Sequence, residues 1–198
     1  MKLRSLVPVA VAAVCLVALA SWTHGFRAFT SFSAARVGAG QLPRPAPPLE
    51  AVDEQGVRFD VAEPGPSLRL VQAMYLRCPD VCPVAMARLS LIRRSLGELA
   101  PERVRIVSLS VDADPPSALR DMWRAHGSPR GWTMASLVGD AVEETLERLG
   151  IWVFRRKDGL INHATDILLL DREGRVVRVF SADEDPEAIA EQVRELAS

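Results

Sequence analysis

The stretch Tyr75-Leu76-Arg77-Cys78-Pro79-Asp80-Val81-Cys82-Pro83 constrains this chain more than any other. Two cysteines lie four positions apart, and each is followed by proline. Ahead of them, residues 68–76 are short and mostly apolar, the pattern of a buried strand. Behind them, in residues 84–99, Met86, Leu89, Ile92 and Leu96 recur at helical spacing. The cysteines are therefore expected on a strand-to-helix turn. Pro83 is tolerated there because a first-turn N–H has no intrahelical partner to lose. The positive end of a helix lowers a thiol pKa, and the thiolate is the form that binds metal, attacks disulfides and is oxidised. If the turn is helical, this spacing puts both side chains on one face. Such a pair can close a disulfide or hold a soft metal ion; the pair alone does not decide.

The 198 residues fit one globular domain plus a terminal segment. A formal net charge of −1 gives no strong field toward nucleic acid, so no nucleic-acid partner is expected. Three cysteines do not make a disulfide framework. Residues 1–23 open with Lys2 and Arg4 and continue into an apolar run ending at Trp22, which reads as a membrane anchor or signal peptide. Ala18-Leu19-Ala20 would serve for cleavage, whereas Trp22 suits a membrane interface and favours an uncleaved anchor. Cys15 lies inside this run as a small apolar residue. Either reading exports the rest of the chain, and an oxidising compartment would drive Cys78 and Cys82 toward a disulfide unless they are reduced or ligated. Residues 24–48 contain Gly38, Gly40 and four prolines between Pro43 and Pro48, the composition of an extended linker. His24 reads there as a solvated linker residue.

Residues 49–198 carry the folded domain. A hairpin over 49–61 precedes the strand, the cysteine turn and the helix. A second strand is expected over 104–111, a helix over 117–126, a weak strand over 132–138 and a helix from Asp140 to Gly150. Residues 151–160 read as an irregular connection. A hairpin about Asp171 to Gly174 and a helix from Asp185 complete the chain. Alternating strands and helices predict an α/β domain, its central mixed sheet flanked by helices. With the cysteine turn after the first long strand, this is the thioredoxin-like plan, bearing an extra N-terminal hairpin.

In that plan the loop entering the last hairpin comes up beside the cysteine turn, which singles out His163. His126, at a helix end, reads simply as a cation near a C-terminus. Two thiolates and one imidazole form a compact soft set. It fits three-coordinate copper best and leaves zinc plus water open.

The segment from Tyr75 to Pro83 resembles the signature of the Sco/SenC/PrrC family. Ser108-Leu109-Ser110-Val111-Asp112 followed by Asp114-Pro115 resembles that family's second-strand segment, and His163 followed by Ile167 to Asp171 and Gly174 resembles its histidine and hairpin. The resemblance extends to the anchor and linker. Asn162 stands where many members carry aspartate, and Arg77 replaces a small polar residue. The family consists of membrane-anchored, thioredoxin-like copper proteins that help assemble the binuclear copper centre of cytochrome c oxidase. The resemblance thus implies copper, as Cu(I) or Cu(II), held by Cys78, Cys82 and His163. It also implies a metallochaperone rather than an enzyme, and a domain on the periplasmic side of a bacterial inner membrane or its equivalent. The expected partners are the copper-site subunit of the oxidase and a periplasmic copper donor or thiol reductant. The competing reading is an exported thiol–disulfide oxidoreductase using Cys78 and Cys82 as a redox-active pair. Thioredoxin-like oxidoreductases place a proline before the strand facing their cysteines; residues 161–167 have none and carry His163 instead. A redox sensor and an inert structural disulfide are the remaining alternatives.

Overall fold

The computed structural model describes residues 6–77, 81–139 and 141–198, with backbone alone at Leu6, Val81 and Cys82. Lys2, Arg4, Cys78 and Asp140, invoked above, lie outside the described residues. In chain order the elements are α1 (Leu6–Trp22), α2 (Ser31–Gly38), β1 (Arg44–Pro45), β2 (Glu50–Asp53), β3 (Arg58–Asp60), β4 (Leu68–Met74) and α3 (Val81–Leu96). They continue as α4 (Leu99–Glu102), β5 (Val104–Ser110), α5 (Pro116–Ala125), β6 (Trp132–Leu137), α6 (Val142–Arg148) and β7 (Val153–Arg155). The chain ends with β8 (Ile161–His163), β9 (Ile167–Leu170), β10 (Arg175–Phe180) and α7 (Pro186–Ala197).

Eight strands form one mixed sheet in the order β1-β10-β9-β4-β5-β6-β2-β3, with β4, β5 and β6 parallel and β4–β9 antiparallel. β4 shows why the sheet sits at the centre. Its side chains alternate, Leu70 and Met74 to one face, Val71, Ala73 and then Tyr75 to the other, and all are buried. The first face packs against α3, α5 and α7, the second against α6 and the short β7–β8 pair. On α3 the predicted stripe of Met86, Leu89, Ile92 and Leu96 is fully inward, and each such burial is worth about 1.5–3 kcal/mol. Asp185 caps α7 as expected, accepting the Ala188 N–H at 3.1 Å. Gly150, at φ +84°, follows the end of α6.

Two expectations change. Residues 24–48 are not a plain extended linker. Thr30 caps α2 through a reciprocal bond pair with Ser33, Phe32 meets Trp152 at 4.7 Å between ring centroids, and β1 pairs with the edge strand β10. Residues 151–160 are not irregular, because β7 and the start of β8 form an antiparallel hairpin separate from the main sheet. α1 has 17 residues, and among the described residues no helix is long and apolar enough to cross a membrane.

Candidate metal centre

The site is built where β4 hands the chain to α3. Gln72 of β4 lies opposite Ile167 of β9. Because these strands are antiparallel, residues leading into β9 run beside those leaving β4. The connection is fastened by Gln72 Nε2, which donates to the Thr165 carbonyl at 2.9 Å. A buried glutamine inside a mostly apolar strand is a polar signal that periodicity does not interpret. His163 ends β8, opposite Val153, and so stands at the same end of the sheet as Tyr75 to Arg77.

His163 is half-buried. Its Nδ1 lies 2.9 Å from the Ala164 carbonyl, which can only accept, so Nδ1 carries the proton and the neutral ring has its lone pair on Nε2. Burial pushes its pKa below the ordinary histidine value, and the carbonyl bond only partly opposes this. The ring therefore stays neutral, the ligating form, to lower pH than an exposed histidine. Of the polar groups near it in sequence, Asn162 is exposed and Asp166, three residues on, pairs with Arg36 at 2.7 Å. The Ala164 carbonyl that holds Nδ1 is a contact that the sequence does not single out.

Cys78 lies outside the described residues, as do Pro79 and Asp80. Cys82 is the second residue of α3, at the positive end of its macrodipole, where a thiolate is favoured. Pro83 sits in that first turn, as its missing N–H allows. Among the described residues no three His, Cys, Asp or Glu side chains converge on one point. Cys15 is exposed on α1.

The rim is polar. Arg77, one residue before the motif, pairs with Asp112 just beyond β5 and lies 5.5 Å from the centroid of the Tyr75 ring. Arg155 of β7 reaches the same Asp112 carboxylate at 3.3 Å, the Val111 carbonyl at 3.0 Å, and Glu143 of α6. Burial pushes the Asp112 carboxyl up, but bonds from Arg77, the Ala113 N–H and Arg155 outweigh it and hold the group below its usual range. Tyr75 Oη donates to the Gly159 carbonyl at 3.3 Å. The hairpin carrying His163 is thus tied to the exits of β4 and β5 by polar contacts.

A family model described as SCO1/SenC matches residues 40–198. Among solved structures, a SCO1/SenC family lipoprotein from Bacillus anthracis is 22% identical, with TM-score 0.69 over 79% of this chain and 97% of that one. Yeast Sco1 with copper bound is 19% identical, with TM-score 0.65 over 77% and 88%. BsSco, described as having a disulfide switch and as a member of the Sco family of cytochrome c oxidase assembly proteins, is 18% identical, with TM-score 0.63 over 80% and 96%. These likenesses confirm the thioredoxin-like fold of Sco proteins. With the family model covering the whole domain from β1 to α7, the chain belongs to the SCO1/SenC family.

Proposed function

We propose that this protein is a copper-binding metallochaperone that binds copper through Cys78, Cys82 and His163 and serves the binuclear copper site of a cytochrome c oxidase. The observation that carries the reading is His163. It is a neutral, backbone-oriented imidazole at the sheet end where the CPDVCP turn leaves β4, in a family whose yeast member is known with copper bound. Two thiolates and one imidazole suit Cu(I), and imidazole also accepts Cu(II). The apolar α1 would hold the domain at a membrane on its exported side, with the copper-site subunit as acceptor. The second reading is redox exchange through a Cys78–Cys82 disulfide, supported by the switch described for BsSco.

Anaerobic copper titration of the reduced protein tests the proposal. One copper per chain is expected, abolished by Cys78→Ser or Cys82→Ser. His163→Ala should weaken Cu(II) strongly and Cu(I) less, because two thiolates still hold Cu(I) in a near-linear arrangement. Copper affinity unchanged in both cysteine variants would sink the proposal. Cu(I) and Cu(II) affinities both untouched by His163→Ala would favour the redox reading.

A further inference from the structure

A second group of soft donors adjoins the cysteine turn and is unused by the role above. Met74, Met86, Met122 and His126 line one cavity of about 220 Å3, closed on its motif side by Leu76 and Pro83. Leu76 stands two residues before Cys78 and Pro83 directly follows Cys82, so the wall is continuous with the motif. Met74 and Met86 are buried at the end of β4 and on α3, whereas Met122 and His126 are half-buried at the end of α5.

Two of these donors are oriented by one buried residue. Trp132 Nε1 donates to Ser108 Oγ at 2.9 Å, and that hydroxyl donates to Met86 Sδ at 3.6 Å. Ser108 is wholly buried, so a core hydroxyl is spent on turning a thioether. The Trp132 ring also lies against His126, with centroids 5.7 Å apart. Among the described residues the His126 ring nitrogens have no hydrogen-bond partner. Single core methionines are ordinary gap-fillers. Three that share the lining of one cavity with an imidazole match the donor types that Cu(I) and its soft analogues prefer.

We infer that this cavity is a Cu(I) site of neutral thioether and imidazole donors, distinct from the cysteine–histidine set. Having no charged donor, it binds more weakly than two thiolates, as suits an ion on its way to or from them. Its purpose rests on the copper reading above, but its ligands are separate and can be tested alone.

The test uses the full chain with Cys15→Ala throughout, since that exposed thiol would itself take Ag(I), carrying Cys78→Ser, Cys82→Ser and His163→Ala as the three-site variant and titrated with Ag(I), a redox-inert analogue of Cu(I). One Ag(I) per chain is expected. Adding Met122→Leu and His126→Gln, both at half-buried positions, should weaken binding about tenfold or more. In the three-site variant Ag(I) should also shield Met122 from peroxide oxidation, a readout that needs no further substitution. No Ag(I) binding by the three-site variant, affinity unchanged by the added pair, or no shielding would each overturn the inference. Copper bound by the unsubstituted protein with none by the three-site variant sinks the cavity alone. Ag(I) in the cavity, with copper affinity of the unsubstituted protein indifferent to both cysteines, sinks the delivery reading alone.

Discussion

Two hairpins follow one another at the end of this chain, and their construction is opposite. The β9–β10 hairpin belongs to the central sheet. All four residues of β9 are buried, and the turn closes on Asp171, which accepts the N–H groups of Glu173 at 3.0 Å and Arg175 at 2.8 Å. The β7–β8 hairpin pairs only with itself, turns through Arg156, Lys157, Asp158 and Gly159, and exposes Phe154. Both turns contain a glycine at positive φ, Gly174 at +77° and Gly159 at +83°. A Cβ on Gly174 would lie 2.0 Å from the Ala62 carbonyl oxygen, whereas one on Gly159 would meet nothing within 4 Å. The first hairpin is held by burial along its length, whereas the second buries Ile161 in the core and is otherwise held by polar ties at its edge. The candidate ligand His163 is on the second. On the proposed reading, an ion taken up and surrendered there would sit on a hairpin that shares only part of its surface with the core.

The largest expected effect separates the two glycines. Gly174→Ala should destabilise the domain by roughly 2–5 kcal/mol, from left-handed backbone plus the clash, while Gly159→Ala should cost about 1–2 kcal/mol, from backbone alone. Equal losses in chemical denaturation would break the contrast.

Next in size is Asp171→Ala, expected to cost about 1–3 kcal/mol because it strips the turn N–H groups of their acceptor. Burial alone would raise the Asp171 carboxyl, but bonds from the Arg175 backbone and side chain, with the Glu173 N–H, hold it below the ordinary carboxylate range. A depressed folded pKa stabilises above the unfolded value and loses that contribution as pH falls through it. The gap between wild type and Asp171→Ala should therefore be full at neutral pH and shrink as the pH falls below about 4. Melting curves across that range check it, and a gap that widens on acidification would contradict the assignment.

Arg155→Ala should change stability by less than about 1 kcal/mol, since its ion pairs are partly solvated. It frees the His163 hairpin from Asp112, so Cu(II) affinity should fall by roughly tenfold while Cu(I) changes less. Loss of stability comparable to Asp171→Ala would show that these ion pairs matter more to the fold than their solvation allows. The smallest effect is expected for Tyr75→Phe, about 0.5–1 kcal/mol for one long bond to Gly159, read by denaturant midpoint.

The same contrast explains what could be read from the sequence. β4, α3, β9, β10 and α7 announce themselves because each buries a continuous face and ends on turn or cap residues such as Asp171, Gly174 and Asp185. β7 and β8 have three residues each, include Arg155 and Asn162, and pair only locally, so no period emerges. α2 was hidden for another reason. Its capping partner is Ser33 rather than glutamate or glutamine, and its aromatic contact, Trp152, is far along the chain. Legibility of the site was divided in the same way. His163 was located by its place before β9, but the acceptor of its Nδ1–H is the Ala164 carbonyl, and side-chain identities carry no record of a backbone bond. Asp166, three residues after His163, is paired with Arg36, a residue 130 positions away in the chain, a partnership that spacing does not reveal.

That last pairing bears on how far the domain can roam. Arg36 holds α2 to the segment just before β9, and Arg44 donates to the Leu149 carbonyl at 2.8 Å behind it. A free coil of 25 residues would let its cargo sweep a sphere with a root-mean-square reach of roughly 25–30 Å. Folded onto the domain, the same stretch acts as a short rigid bracket. On the proposed reading, an acceptor would then have to come to the ion, and encounter would depend on its approach and facing angle rather than on the length of a leash.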